Sequence, residues 1–240
     1  GWCALVSLAG IGVPLGMFGY WLATGSSAGQ HLDRLPAAIW GSLQVGSLAA
    51  IGVICAALPI AILAARSGGR LAVALERLSY LGFALPGIVI ALAFVFVGAR
   101  FLPAIYQTLP FLALAMVIRF LPHGVGAVKS SLLQINPVLE QASRVLGASG
   151  PRTTWRITLP LAWPGIASGA ILVFLSAVKE LPIVLLLAPT GFHTLATEIW
   201  SATDGGALGH AAAPALVLIA LSAIPSLGLD RFRRHDEDTP

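Results

Sequence analysis

Six apolar stretches, each about long enough to cross a lipid bilayer, constrain the fold of this chain more than any other feature. They lie at roughly 3–23, 39–65, 79–99, 106–122, 161–187 and 209–229. The hydrocarbon core offers no partner to a free backbone N–H or C=O, so a spanning segment is a helix or part of a closed barrel. These stretches are continuously apolar and lack the alternation of barrel strands. The sequence therefore predicts an all-α, polytopic membrane protein with about six transmembrane helices.

The composition supports one membrane domain and excludes a water-soluble protein. Of 240 residues, 57% are hydrophobic and only 10% are charged, whereas soluble domains carry about 25% charged residues. We assign residues 1–235 to a single transmembrane domain and 236–240 to a short tail. The chain starts at Gly1 and enters a span at once, without a basic leader, so we expect the numbering to begin inside a longer protein or after removal of an N-terminal part. Cys3 and Cys55 lie in apolar spans and are expected to pack as small hydrophobic residues, without a disulfide or a metal.

Basic residues are concentrated on one side of the predicted topology. One set of loops contains Arg66, Arg70, Arg77, Arg119, Lys129, Arg144, Arg152, Arg156, Arg231, Arg233 and Arg234, and the other set contains Arg34 and Arg100. The positive-inside rule places the first set in the cytoplasm. A polar segment at 136–160 and the C-terminus are then cytoplasmic, and the loops at 24–38, 100–105 and 188–208 face outward. The basic residues near the C-terminus are interpreted as a membrane anchor and not as a nucleic-acid site.

The polar segment contains a short helix with clear start and stop signals. Asn136 is a good N-cap and Pro137 suits the first helical position. Glu140 falls in the first turn, where the helix dipole favours a negative charge, and Gly147 is a typical residue just after a helix. Ten residues give only about 15 Å of helix, which is too short to span a membrane and marginal in isolation. One face carries Leu139, Ala142, Val145 and Leu146, and another carries Gln141 and Arg144. We therefore expect this helix to need a packing partner.

The same segment resembles the cytoplasmic loop of permeases of type I ATP-binding-cassette (ABC) importers. That loop reads Glu-Ala-Ala, three residues, Gly, nine residues, Ile, one residue, Leu-Pro. The matching positions here are Gly147, Ile157, Leu159 and Pro160. The departure is Gln141-Ala142-Ser143 in place of Glu-Ala-Ala, with Glu140 one residue earlier.

The resemblance implies that this helix is a coupling helix, which docks in a groove of a separate ATPase subunit. The residues expected to couple the chain to the ATPase are Glu140, Gln141, Ala142, Arg144, Gly147, Ile157, Leu159 and Pro160. It also implies a dimer of cytoplasmic ABC ATPases, an extracytoplasmic substrate-binding protein and a second permease half, which is fused, identical or a different chain. With surrounding lipid, these are the expected partners; neither a cofactor nor nucleic acid is expected.

Two ionisable residues lie inside the fifth predicted span. Lys179 and Glu180 are followed by Pro182, which cannot donate a backbone hydrogen bond to Val178. Charges at membrane depth are costly and are functional candidates by default. One interpretation is that Lys179, Glu180 and Pro182 line or gate a translocation pathway. The equally weighted alternative is a buried structural tie to a neighbouring helix or subunit.

The stretch from Lys179 onward, KELP…APTGFHTLATEIWSAT, resembles the ferric-iron branch of these permeases. The resemblance implies iron(III) as substrate; thiamine, polyamine, phosphonate and sulfate are the alternatives. A short amphipathic helix with Trp200 at the interface is expected in the outer loop, broken by Asp204, Gly205 and Gly206. The outward metal-binding candidates are His193, Glu198, Asp204 and His210. They are dispersed over eighteen residues, so we predict no metal site.

Three further functions compete less well with an importer permease. An ion-coupled secondary transporter predicts internal repeats and discontinuous helices at midplane, and no clear repeat is visible. An intramembrane enzyme requires a nucleophile with its base, or metal ligands, and neither pattern occurs within the spans. Residues 124–130 superficially resemble a phosphate-binding loop but lack the glycine before Lys129. We therefore expect a transport component and not an enzyme.

Overall fold

The structure is a computed structural model that describes residues 1–24 and 32–237, with side chains described as far as residue 225. Its α-helices are α1 (Trp2–Thr24), α2 (Leu35–Arg66), α3 (Arg70–Ala84), α4 (Gly87–Phe101), α5 (Leu109–Gln134), α6 (Pro137–Val145), α7 (Gly150–Thr153), α8 (Leu159–Val178), α9 (Pro182–Leu187), α10 (Leu195–Asp204) and α11 (Leu208–Glu237). A 3₁₀ turn at Leu32–Arg34 precedes α2, and a π-helical segment at Thr154–Thr158 joins α7 to α8. No β-strand occurs in the described ranges.

The predicted all-α membrane architecture is confirmed. Within residues 1–24 and 32–237, five helices are long and apolar enough to cross a bilayer, and a sixth span results if α3 and α4 are counted together. Helices α2, α5 and α8 pack on one another and form the centre of the bundle. The main core draws on α2, α4, α5, α8 and α9, and includes Val53, Ile90, Leu112, Met116, Val173 and Ile183.

Small residues allow the central helices to approach closely. A Cβ atom on Gly165 of α8 would lie 2.1 Å from the Cβ of Ser131 in α5, and one on Gly124 would lie 2.5 Å from a methyl group of Val53 in α2. Such close approach is the usual role of small residues between membrane helices.

The third predicted span, 79–99, is not one continuous helix. Helix α3 ends at Ala84, α4 begins at Gly87, and their axes are bent by 102°. Leu85 has an extended backbone, as expected for a residue before a proline, and Pro86 has no N–H to continue the helix. We call Leu85–Pro86 the α3–α4 break.

The fourth span extends beyond its predicted end. Helix α5 continues from residue 122 to Gln134, so Arg119 and Lys129 lie inside a helix and not in a cytoplasmic loop. The continuous helix is explained by α5 packing on α2 and α8 over much of its length, with Gly124, Val128 and Leu132 buried.

The fifth span is also interrupted. Helix α8 ends at Val178 and α9 begins at Pro182, with Lys179–Leu181 between them. Lys179 and Glu180 therefore lie at a junction between two helices and not within one helix. We call Lys179–Leu181 the α8–α9 break.

The peripheral elements are more exposed. Helix α1 packs on α11 and contains no buried residue. Cys3 and Cys55 are free thiols with exposed side chains. The short helix predicted within 188–208 is confirmed as α10, which starts with a capping box between Thr194 and Thr197 and ends before Gly205. Trp200 remains partly exposed on α10.

Candidate functional site

Helix α6 starts as its sequence predicts. The Oδ1 atom of Asn136 accepts a hydrogen bond from the backbone N–H of Val138 at 3.0 Å, and Pro137 occupies the first helical position. The side chain thus satisfies one of the N–H groups that a helix start leaves without a partner.

The end of α6 also follows the prediction. Gly147 has a φ of +86°, a left-handed conformation that side chains disfavour. Its N–H donates to the carbonyl of Arg144 at 3.0 Å, and the N–H of Ala148 donates to the carbonyl of Ser143 at 3.1 Å. These two bonds form a Schellman motif, which fixes the direction of the chain after α6.

One polar residue fastens α6 to the rest of the bundle. Glu140 is only 6% exposed. Its Oε1 atom accepts hydrogen bonds from Arg66 Nε and from Thr158 Oγ1, each at 3.0 Å, and Arg66 Nη2 lies equally close. Arg144 is more distant, 3.9 Å from the other carboxylate oxygen. Glu140 therefore joins α6 to the end of α2 and to the segment that precedes α8.

A second contact strengthens this connection. The hydroxyl groups of Ser143 and Thr153 lie 3.1 Å apart and are buried. Thr153 belongs to a stretch that is helical without a gap from Gly150 to Val178, through α7, the π-helical segment and α8. A displacement of α6 is therefore transmitted to α8 without an intervening flexible loop.

The same region exposes large apolar side chains. Val145 is 86% exposed, Leu146 is 88% exposed and Trp155 is 74% exposed. We call these three residues the island patch; Gln141 and Arg144 are exposed beside it. The face predicted to need a partner finds none among the described residues of this chain, because α6 is held by the polar residues Glu140 and Ser143.

The other predicted coupling residues surround this region. Ala142 is exposed on α6, and Ile157 is half-buried in the π-helical segment. Leu159 is half-buried as the first residue of α8, and Pro160 is exposed as its second residue. The predicted coupling residues did not include five contributors: Arg66, Ser143, Thr153, Trp155 and Thr158. Only Trp155, a large aromatic residue within a polar segment, carried a signal that could have indicated its role.

At the α8–α9 break, the structure separates the two predicted pathway charges. Lys179 is exposed, Glu180 is half-buried, and Pro182 begins α9. The Oε1 atom of Glu180 lies 2.5 Å from the position that a Cβ on Gly87 would occupy. Glu180 is thus brought to the first residue of α4, whereas Lys179 is not.

The outward candidates form part of a polar cavity. His193 Nδ1 and Glu198 Oε1 are 2.9 Å apart. A cavity of about 280 Å³ is lined by Arg34, His193, Glu198, Ser201, Ala202, Gly205, Ala207 and His210. Asp204 does not line this cavity. Within the described residues, no group of three or more His, Cys, Asp or Glu side chains is arranged to hold a metal ion.

The family model described as "Binding-protein-dependent transport system inner membrane component" matches residues 57–235, which include both breaks and the whole of the polar segment. The chain belongs to this family. It is therefore a multi-pass membrane protein, and the resemblance to importer permeases is confirmed.

Curated relatives differ in the substrates that their names give. The Fe(3+)-transport system permease protein FbpB 2 of Haemophilus influenzae is 32% identical over 235 residues, which is 97% of this chain and 46% of that protein. The molybdenum transport system permease protein ModB of Mycobacterium bovis is 33% identical over 204 residues, covering 78% of this chain and 76% of the relative. The chain thus spans less than half the length of the first relative.

Solved structures of similar shape are ABC transporters. An inward-facing form of the MetNI methionine ABC transporter has a TM-score of 0.69 at 17% identity, with 86% of this chain and 98% of the matched chain covered. A bacterial ABC transporter involved in the import of alginate has a TM-score of 0.71 at 19% identity, covering 99% and 93%. These matches show the fold. They also show that broken helices, which we associated with a secondary transporter, occur here within an importer-permease fold.

Proposed function

We propose that this chain is the permease part of an ABC importer, which changes its access to the two sides of the membrane when a separate ATPase moves α6. The observation that carries the proposal is the island patch, three large apolar side chains on a segment that polar contacts fix to the bundle. An exposed apolar cluster rimmed by polar residues is typical of a protein–protein interface. A groove on an ATPase dimer is the partner that the family suggests.

The contacts of Glu140 supply a path for the motion. ATP binding and hydrolysis would shift α6, and the Glu140 carboxylate would pull on Arg66 of α2 and Thr158 ahead of α8. Because α2 and α8 both pack on α5, these helices would rotate as a group, which is how rigid-body rocking produces alternating access.

The proposed orientation places α6 in the cytoplasm. The excess of basic residues on the side of the predicted topology that includes the 136–160 segment supports it through the positive-inside rule. The substrate-binding protein would then dock on the outer side, near α10 and its polar cavity. Glu180 and Pro182 would lie along the translocation pathway, and Lys179 would lie at the edge of that pathway.

A second permease half completes the proposed transporter. The matched ferric-iron relative is about twice as long as this chain, which supports a fused or separate second half. Helix α4 presents exposed Leu92, Phe96 and Phe101. These side chains would face either lipid or that second half.

Gly147 offers a test of the coupling role with a matched control three residues away. Gly147→Ala forces a side chain into a left-handed backbone, whereas Gly150→Ala places a methyl group in open space without positive φ. We expect Gly147→Ala to reduce co-purification with the ATPase and to reduce uptake, and Gly150→Ala to leave both unchanged. Equal behaviour of the two variants would remove α6 as the coupling element.

For the substrate, we propose ferric iron. The support is the 32% identical relative, whose name states Fe(3+) transport and which matches 97% of this chain. Other relatives are named for molybdenum and for 2-aminoethylphosphonate transport. Uptake of radiolabelled iron(III) by cells that express the complete transporter tests the assignment, with excess unlabelled molybdate or 2-aminoethylphosphonate as competitors. We expect uptake that neither competitor reduces; uptake of labelled molybdate or phosphonate instead would replace iron as the substrate.

A further inference from the structure

The two helix breaks meet around a pair of opposite charges at membrane depth. Arg119 lies ten residues into α5, about 15 Å from its start. Its Nη1 atom donates to the carbonyl of Gly82 at 3.0 Å and to that of Leu85 at 2.7 Å. These carbonyls are at the end of α3, where a helix leaves its last acceptors without partners. Arg119 therefore caps α3 from a neighbouring helix.

Glu180 occupies the complementary position on the other side of the α3–α4 break. Its carboxylate oxygen lies against Gly87, the first residue of α4. In α4, hydrogen bonds to the Pro86 carbonyl begin at Val89 and Ile90, so the N–H groups of Gly87 and Ile88 precede that ladder. A negative charge is favourable beside such a helix start, and a positive charge is favourable beside a helix end. The charge of Arg119 is thus favourable at the end of α3, and the charge of Glu180 is favourable at the start of α4.

The two charges are also close to each other. Glu180 Oε1 and Arg119 Nε lie 2.5 Å and 3.8 Å from the same point, the position of a Cβ on Gly87. The distance between Glu180 Oε1 and Arg119 Nε is therefore no greater than the sum of these two distances. The Nε donor of Arg119 is buried and has no hydrogen-bond partner in the described part of the chain. Lipid cannot solvate these groups, so each depends on the protein around it.

We propose that Arg119 is a positioning residue which, together with Glu180, fixes the bend between α3 and α4 and connects it to the α8–α9 break. This inference rests on the proposed transport function, because it explains how rotation of α5 and α8 would reach α4. When α5 moves, Arg119 moves the end of α3; when α8 moves, Glu180 moves the start of α4.

The distance between α3 and α4 tests this role directly. Spin labels at positions 78 and 92, both exposed leucines, report the bend in the complete transporter in nanodiscs, with Cys3 and Cys55 changed to serine. We expect one narrow distance distribution for the parent protein. Arg119→Met and Glu180→Gln should broaden or shift it. Gly87→Ala should do the same, because the added methyl group displaces the Glu180 carboxylate without removing its charge.

Lys129→Met is the matched control for Arg119→Met. Lys129 also lies on α5 and forms an ion pair with Glu76 of α3, but far from the break. This variant should keep the parent distribution. Substrate taken up per ATP hydrolysed should fall about fivefold or more in the Arg119 and Glu180 variants, and remain unchanged in the control.

The distance measurement does not depend on transport, so its failure is separate from failure of the proposed function. A parent-like distribution in Arg119→Met and Glu180→Gln would overturn the inference, and so would equal broadening in Lys129→Met. If the distribution changes as expected but no ATPase associates with the parent protein, the positioning role stands and the coupling proposal falls.

Discussion

The unpaired backbone groups at the ends of α6 and at the α3–α4 break find their polar partners in different ways. Helix α6 is capped by its own neighbours in sequence, Asn136 at the start and Gly147 at the end. At the break, α3 is capped by Arg119, 34 residues beyond Leu85, and α4 is approached by Glu180 from the other broken span. A helix in water can fray at little cost, whereas a break within a bilayer requires polar partners from elsewhere in the fold.

The two regions also differ in how their glutamates are held. Glu140 is in direct contact with Arg66 and Thr158. Glu180 forms no comparably direct ion pair among the described residues and stands at the start of a helix. The difference predicts that Glu140 contributes more to stability, and that Glu180 contributes more to the geometry of the break.

Removal of the Glu140 carboxylate should have the largest effect on stability. Glu140→Ala leaves Arg66 and Thr158 without their shared partner, and breaking a buried ion pair costs about 3 kcal/mol. We expect a clear fall in the thermal unfolding temperature of the purified protein, measured by intrinsic fluorescence.

The control for this variant is Glu76→Ala. Glu76 pairs with Lys129, and both side chains are about a quarter exposed, so the expected loss is about 1 kcal/mol. If Glu140→Ala were no more destabilising than Glu76→Ala, the contact with Arg66 and Thr158 would not fasten α6 to the bundle.

Neutralisation of Lys179 and of Glu180, which are neighbours in sequence at the α8–α9 break, should have different effects. Glu180→Gln removes a half-buried negative charge that lies against the start of α4 and is expected to lower uptake. Lys179→Gln changes an exposed side chain and should stay within about 0.5 kcal/mol of the parent. Thermal unfolding and uptake of both variants check this difference; equal effects would show that burial at the break does not distinguish the two charges.

Loss of the local cap on α6 should have a smaller effect. Asn136→Ala removes the hydrogen bond to the N–H of Val138, at a cost of about 1 kcal/mol. Hydrogen exchange of residues 137–146 should become faster, while exchange at the start of α4 stays as in the parent. Faster exchange in both regions would contradict the view that α6 is capped locally.

The same contrast explains what the sequence could predict. The bounds of α6, the αL glycine at 147 and the breaking of α10 after Asp204 follow from residues adjacent in sequence. The break at Pro86, the continuation of α5 past residue 122 and the inward orientation of Glu140 depend on packing between distant segments. The sequence alone groups Arg119 with the loop charges, because its partners, the carbonyls of Gly82 and Leu85, are recognisable only once α3 has bent.

The central claim is that α6 is held to the bundle by its polar face and to the ATPase by the island patch. Leu146→Ser tests it most directly, since Leu146 is almost fully exposed and its loss should not destabilise the isolated permease. Leu208→Ser is the control, an exposed leucine at the start of α11. The account predicts an unchanged unfolding temperature for both variants and loss of ATPase co-purification for Leu146→Ser alone. ATPase association at the parent level in Leu146→Ser would contradict it.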